Sequence, residues 1–370
     1  MNKPNIVHIC LSSGWGGLEM YPIRTAKEFI ALGYNVYCVC LDGGHIQNHM
    51  RELGVECFST TSKAKLLSQQ LFRLNNWLKE RNVTVVHSHK SGDILISALL
   101  HCLMPRKSFF TEHMGVKRPK KDVFHKMVYR HLSKVFSISN ETYQRNIKAL
   151  PIELDKITPL LLGTYVPEIQ PVANNSDIIK IKQSVGLPEH SFVVGTVGRV
   201  CYGKGQMHLF DAFCLLSEEY PDLHLLIVGG ISEADGSDSL FVHELKEKID
   251  KARLVDRVHL TGFRKDTKKM YSIMDIVCLP YHDEAFGLTA IESMAQAKAL
   301  VVSNTGALPE VVNEAAILCD PLNPKDIANK IRLFIENTSI KSNYSHKAYC
   351  RAKNKFSINK HIQKLIGFYS

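Results

Sequence analysis

Short β-branched runs alternate with amphipathic stretches along the whole chain, and this alternation limits the possible folds more than any other feature. In the first half the apolar runs are residues 5–11, 35–41, 83–87, 108–111 and 135–138. In the second they are 192–197, 224–228, 258–260, 276–279 and 300–303. Helix-like stretches such as 18–32, 66–81, 206–219 and 324–337 fall between them. Strands that alternate with helices build parallel sheets covered by helices on both faces. A chain of 370 residues exceeds one ordinary core, so two such domains are predicted. Residues 166–177 are polar, lack periodicity and carry Pro167 and Pro171, which marks them as the connection. The expected division is 1–168, a linker 169–178, a second domain 179–355 and a last segment 356–370. Two doubly wound α/β domains would then face each other across a cleft. In such sheets ligands bind beyond the carboxyl ends of the strands.

Composition narrows the class. Hydrophobic residues make up 45% and charged residues 22%, as in soluble globular proteins. No apolar run approaches the ~20 residues of a membrane span. The N-terminal apolar stretch is too short for a signal peptide and reads as a first strand. Ten cysteines are scattered without a C-x-x-C pair. Several lie in apolar runs, where cysteine acts as a small hydrophobe, so all are expected to be reduced packing residues of a cytosolic protein and not zinc ligands. The net charge of +10 is uneven: residues 1–170 hold 22 Lys+Arg against 13 Asp+Glu, and 171–370 hold 24 against 23. An anionic partner is therefore expected at the first half. A nucleic-acid partner is not.

Three loops carry chemistry. After the run 276–279, the segment Asp283-Glu284-Ala285-Phe286-Gly287-Leu288-Thr289-Ala290-Ile291-Glu292 holds two glutamates eight residues apart, with Gly287 where a helix would start. Backbone N–H groups at a helix start attract anions, and carboxylates accept hydrogen bonds from hydroxyls. Such a site suits a ligand with both a phosphate and a sugar. The plain alternative is a solvated helix face. A second loop, Gly198 to Gly205, almost spells a P-loop, but Gly205 replaces the Ser or Thr that would hold magnesium. What remains is Arg199 and Lys204, two cations suited to a diphosphate that no metal neutralises. A third, Ser12-Ser13-Gly14-Trp15-Gly16-Gly17, follows the first strand but lacks dinucleotide-fingerprint spacing, which argues against a dehydrogenase. His87 and His89 suggest a metal, yet no third ligand is evident nearby, and no D-x-D motif occurs.

Together Gly16-Gly17, His113, the Arg199/Lys204 pair and Glu284…Glu292, each after a predicted strand, resemble the family-4 retaining glycosyltransferases of the GT-B fold, group 1 type. The resemblance covers nearly the whole length. It implies a nucleotide-sugar donor held mainly by the second domain, no metal or other cofactor, and a final helix at 358–368 returning to the first domain. It implies that Arg199 and Lys204 hold the donor diphosphate, Glu284 the sugar hydroxyls and Glu292 the ribose. Amides of Phe286, Gly287 and Leu288 would support sugar and phosphate, while Phe263 and Arg264 would cup the base. Gly16 and Gly17 would close on the diphosphate, and His113 would contact the sugar near the reacting carbon. The acceptor expected by analogy is a glycan or glycolipid of bacterial lipopolysaccharide or surface polysaccharide. A nucleotide-sugar epimerase and a non-catalytic nucleotide-sugar-binding module stay open as rivals. Residues 117–134 hold seven Lys/Arg against one acid. Lys117, Arg118, Lys120 and Lys121 are expected at an anionic membrane or acidic acceptor. Phe124, Met127, Val128 and Leu132 would share one helical face, and Lys126, Arg130 and Lys134 another. The expected location is cytoplasmic, peripheral on the inner membrane face.

Overall fold

The computed structural model describes residues 3–116, 118–168, 174–282 and 284–370. The chain forms two compact units, one of Met1–Gly163 with Ile358–Ser370 and one of Thr164–Ser357. Each is a parallel sheet with helices on both faces.

The N-terminal unit contains β1 (Asn5–Cys10), β2 (Val36–Leu41), β3 (Glu56–Thr60), β4 (Val83–Ser88), β5 (Lys107–Glu112), β6 (Lys134–Ser137) and β7 (Ile157–Pro159). Their order is β3-β2-β1-β4-β5-β6-β7. Successive residues of a strand point to opposite faces, and here both faces are apolar. Ile6, Cys38, Phe109 and Phe136 enter one core, while Val7, Val39 and Val86 enter another. The C-terminal helix Ile358–Tyr369 belongs to this unit and buries Ile358, Ile362, Leu365 and Tyr369 along one stripe. The Tyr369 ring lies 4.9 Å from that of Phe109 and 5.6 Å from that of Phe29. Its hydroxyl meets His87 Nδ1 at 2.5 Å, so the phenol's polar end is satisfied inside the core.

The C-terminal unit contains β8 (Phe192–Val197), β9 (Leu223–Val228), β10 (Val258–Leu260), β11 (Ile276–Leu279), β12 (Ala299–Ser303) and β13 (Ile317–Cys319), in the order β10-β9-β8-β11-β12-β13. Helices Gln206–Ser217 and Pro324–Glu336 contribute Phe210, Phe213, Ile331 and Phe334 to its core. In both sheets the strand order reverses once, between β1 and β4 and between β8 and β11. Loops on either side of such a reversal diverge and leave a crevice at the carboxyl ends of the strands.

Three strands escape the sequence pattern: β3, β7 and β13. All are edge strands. β3 reads Glu-Cys-Phe-Ser-Thr, and β7 and β13 are three residues long. Edge strands are kept short or polar because an exposed ladder invites pairing with other chains. The proposed linker 169–178 is shortened by the helix Asn175–Ser184, because the Asn174 side chain caps it by accepting from Ser176 N at 3.2 Å. Residues 169–173 of that linker lie outside the described residues. The chain passes between units at Gly163/Thr164 and returns at Ser357/Ile358. Thr164 bridges to Ser357, and its N–H donates to Phe356 O at 2.8 Å. A side chain at Gly163 would lie 2.7 Å from Ile358 Cα, so only glycine fits there.

Candidate active site

The second unit gathers its candidate residues at the β8/β11 reversal. The loop after β8 carries Arg199 and Lys204, and that after β11 carries Glu284. Lys204 Nζ donates to Glu284 Oε2 at 2.5 Å and lies 4.2 Å from the centroid of the Tyr281 ring. Both charged side chains keep about a fifth of their surface in solvent (23% and 20%), so a ligand can reach them. The loops are locked together by backbone. His282 N donates to Gly203 O at 2.9 Å, and the Tyr281 hydroxyl donates to Val197 O. Gly205 has φ +67°, and a Cβ there would lie 2.1 Å from Pro280 O, so only glycine fits the position. Gln206 Nε2 donates to Arg199 O at 2.9 Å and fixes the backbone under that guanidinium.

Gly287 opens the helix Leu288–Ala295 with φ +92°, and a Cβ there would lie 2.5 Å from Leu308 Cδ2. Its N-cap residue, Gly287, has no side chain to cap it, and the positive helix end follows directly on the Glu284 loop. Phe286 is buried, while Glu292 is half-buried on the second turn. Burial, with the nearby Glu284 charge, pushes the Tyr281 phenol far above its ordinary range, keeping it neutral under Lys204. At the end of β10, Gly262 O accepts from Gly229 N at 3.1 Å, and the Phe263 ring is half-exposed and available for stacking. Arg264 is not idle: its Nε and Nη2 each reach an Asp266 carboxylate oxygen at 2.9 Å.

In the N-terminal unit the reversal lies between β1 and β4. Leu11 N donates to Asp93 Oδ2 at 3.0 Å, joining the two loops. Gly16 precedes the helix Gly17–Ala31 in an extended conformation that any residue adopts, and a Cβ there would meet only Glu19 Oε2 at 3.6 Å. No internal constraint demands glycine at 16. Its smallness matters only for something that approaches from outside. Ser12 Oγ holds the Glu19 carboxylate at 2.6 Å beside this loop.

His113, just past β5, is buried, and its Nε2 has no hydrogen-bond partner among the described residues. Burial pushes it down to about 3, so the imidazole is neutral. It belongs to a group of buried rings. Tyr21 lies 5.1 Å and His89 5.9 Å away, centroid to centroid. His8 Nδ1 and His89 Nε2 share a hydrogen bond of 2.9 Å. The missing third partner of His87 and His89 is thus His8, on the neighbouring strand β1, where sequence distance hides it. Both His87 nitrogens are occupied, by the Tyr369 and Thr111 hydroxyls.

The basic segment departs from the sequence reading. Its helix is only Val123–Tyr129. Val128, Tyr129 and Leu132 turn inward to a core with Phe110 and Val135, whereas Val123, Phe124 and Met127 are exposed at 83%, 52% and 64%. The four apolar residues therefore do not share one face, because Leu132 lies beyond the helix end. Lys134 starts β6 and reaches Asp155 O, so it does not stack on Lys126 and Arg130. Lys120 also turns inward, its Nζ 3.2 Å from the Tyr129 hydroxyl, while Arg118 and Lys121 are exposed. Lys117 lies outside the described residues.

The sequence model of the glycosyl transferases group 1 matches residues 177–354, and that of glycosyltransferase family 4 matches residues 15–161. The two matches tile both units. The chain belongs to the family-4, group 1 glycosyltransferases. Among relatives of this glycosyltransferase, the lipopolysaccharide core biosynthesis mannosyltransferase LpsB of Rhizobium meliloti is 25% identical over 78% of the chain and 80% of its own length. The capsular polysaccharide biosynthesis glycosyltransferase CapM of Staphylococcus aureus is 29% identical over 49% of the chain, and the alignment spans 46% of CapM. A crystal structure of a glycosyltransferase from Rickettsia africae ESF-5 covers 100% of the chain and 98% of its own, at TM-score 0.88 and 23% identity. Anabaena Alr3699/HepE in complex with UDP and glucose covers 98% of each chain, at TM-score 0.83 and 20% identity. These likenesses establish the GT-B fold. Among the described residues, no helix of this glycosyltransferase is long and apolar enough to cross a membrane.

Proposed function

We propose that the chain transfers a sugar from a nucleoside diphosphate sugar to a glycan or glycolipid acceptor, with retention, in the synthesis of lipopolysaccharide or a related surface polysaccharide. The observation that carries this reading is the Lys204–Glu284 pair, which joins the loops after β8 and β11 at a strand-order reversal, just before the helix Leu288–Ala295. Within the chain each charge of the pair satisfies the other. A bound donor separates their tasks: Lys204 and Arg199 take the diphosphate, and Glu284 takes sugar hydroxyls. Glu292 binds the ribose, and the exposed Phe263 stacks on the base. Amides of Phe286, Gly287 and Leu288 support sugar and phosphate, and the roles of Gly16, Gly17 and His113 at the donor belong to the same proposal. The name of LpsB and the UDP and glucose in HepE support the donor and acceptor classes.

Breaking the glycosidic bond leaves negative charge on the departing diphosphate. Preorganised cations and helix amides stabilise that charge best where water is excluded. Arg199, Lys204 and the Leu288–Ala295 start supply it, and no step requires a metal. The leaving phosphate accepts the acceptor's proton as the acceptor attacks from the same face. His113, neutral at working pH, serves as a hydrogen-bonding group and not as a cation. Incubation with a panel of nucleotide-sugars, with and without lipid-linked acceptors, tests the reading. Acceptor-dependent glycosylation is expected. An isomerised nucleotide-sugar without acceptor, or binding without turnover, would contradict it.

The exposed Val123, Phe124 and Met127, with Met114 (64% exposed), alternate in sequence with the exposed Arg118, Lys121, Lys126 and Arg130. Exposed apolar side chains interspersed with cations suit the interface of an anionic bilayer. This supports a peripheral location on the cytoplasmic membrane face, where a lipid-linked acceptor would be met.

A further inference from the structure

Away from the sugar site, three thiols converge on one face of the N-terminal sheet. Cys38 and Cys40 are two residues apart on β2 and so share a face. Cys57, on the edge strand β3, is the register partner of Cys38. The three sulfurs lie within 4.8 Å of one another, and all three cysteines are free. Cys38 and Cys40 are buried, and Cys57 is half-buried. Cys57 keeps part of its surface in solvent at the sheet edge.

Thiolate is the form that binds metals. Packing alone does not call for sulfur at three adjoining positions, since the neighbouring strands fill the same core with Ile6, Val36 and Val85.

We propose that Cys38, Cys40 and Cys57 bind one thiophilic divalent d¹⁰ ion, of which zinc(II) is the type. Soft sulfur ligands select such ions over magnesium or calcium. Zinc–sulfur bonds of ~2.3 Å in a tetrahedral site place the sulfurs roughly 3.8 Å apart, which sulfurs already within 4.8 Å of one another can meet. Three thiolates and a divalent ion leave one negative charge, which Arg51 faces. A monovalent copper ion would leave two. Binding forms three metal–sulfur bonds, breaks the S–H bonds of whichever thiols are still protonated and sends those protons to solvent. No electrons move. A water or hydroxide would take the fourth position. The rival trio His8, His87 and His89 would need one His87 hydrogen bond and the His8–His89 hydrogen bond broken and would leave an uncompensated double charge in the core. The ion would staple β3, which pairs only with β2, to the rest of the sheet.

The test uses the full chain without an affinity tag, reduced and stripped with a chelator. It is titrated with zinc(II) against a chromophoric chelator, and separately with cadmium(II). One equivalent should bind, the cadmium form should show sulfur-to-metal charge-transfer absorption, and zinc should raise the melting temperature. C57S should weaken zinc binding on the order of a hundredfold and remove the absorption, because a ligand is lost. C102S, at an exposed cysteine elsewhere, should change nothing. Cys57 is half-exposed on an edge strand, so C57S is expected to fold, and its circular dichroism checks this. A C40S variant repeats the test from the buried side. Failure of the reduced chain to bind an equivalent would overturn the proposal, and so would an undiminished charge-transfer band in folded C57S. A Cys57 disulfide to Cys38 or Cys40 surviving the reductant would also overturn it.

Discussion

Glu284 sits on a loop and not in a core, and its one described ion pair is to Lys204. Glu284→Ala should therefore leave melting nearly unchanged while reducing transfer by orders of magnitude, as steady-state rates and a thermal melt on one preparation would show. Near-normal turnover would remove Glu284 from the site. At this scale the sequence was informative where chemistry is written locally. Glu284, Glu292, Arg199, Lys204 and Gly287 all stand next to a strand end or helix start that the pattern marks. It was silent where partners come from another strand. Tyr281 under Lys204, His8 beside His89 and Asp93 holding Leu11 depend on register, which a single strand's composition does not encode. The three converging cysteines read as packing residues for the same reason.

Central strands and long amphipathic helices were legible because burial on one or both faces imposes a period. The edge strands β3, β7 and β13 were not, being too short or too polar to show one. The helix Ile358–Tyr369 illustrates what that period does for stability. Leu365 is fully buried in the N-terminal core, so Leu365→Ala should cost about 2–5 kcal/mol, through lost transfer and the cavity left behind. Denaturant titration of the variant checks this, and a change under 1 kcal/mol would mean that the helix is not packed as described. The segment around Val123–Tyr129 makes an opposite kind of prediction. Replacing Arg118, Lys121, Lys126 and Arg130 by Ser should reduce sedimentation with anionic vesicles, since each basic residue near such a surface contributes ~1 kcal/mol. Nucleotide affinity should be unaltered. Vesicle binding equal to that of the parent would contradict the docking surface.

Across the molecule, five buried imidazoles of the N-terminal unit and the half-buried His131 are held neutral by burial. His8 and His113 are pushed down to about 3 and His131 and His361 to about 4, with His87 and His89 well below the usual value. An unfolded histidine titrates near ~6.5. Between about pH 6.5 and 3 the unfolded chain thus binds more protons at these sites than the native one, and stability falls as pH falls. Asp93, pushed up to about 6 by burial, and Glu112, also raised by burial, act in the opposite sense over a narrower range. The imidazoles outnumber them, so melting temperature should drop steadily as pH falls below about 6.5. A flat or rising profile between about pH 6.5 and 4.5 would contradict the buried, neutral cluster.

The central claim is that the cations at the β8/β11 reversal hold a donor diphosphate without help from a metal. The direct measurement is calorimetric titration with UDP, GDP and ADP in the presence of EDTA, on the parent, Arg199→Ala and Lys204→Ala. One nucleotide should bind the parent under chelation. Each variant should bind it about ten- to a hundredfold more weakly, the worth of one charge-assisted hydrogen bond of ~1.5–3 kcal/mol. Equal affinity in parent and variants, or binding that appears only when a divalent ion is restored, would contradict the account.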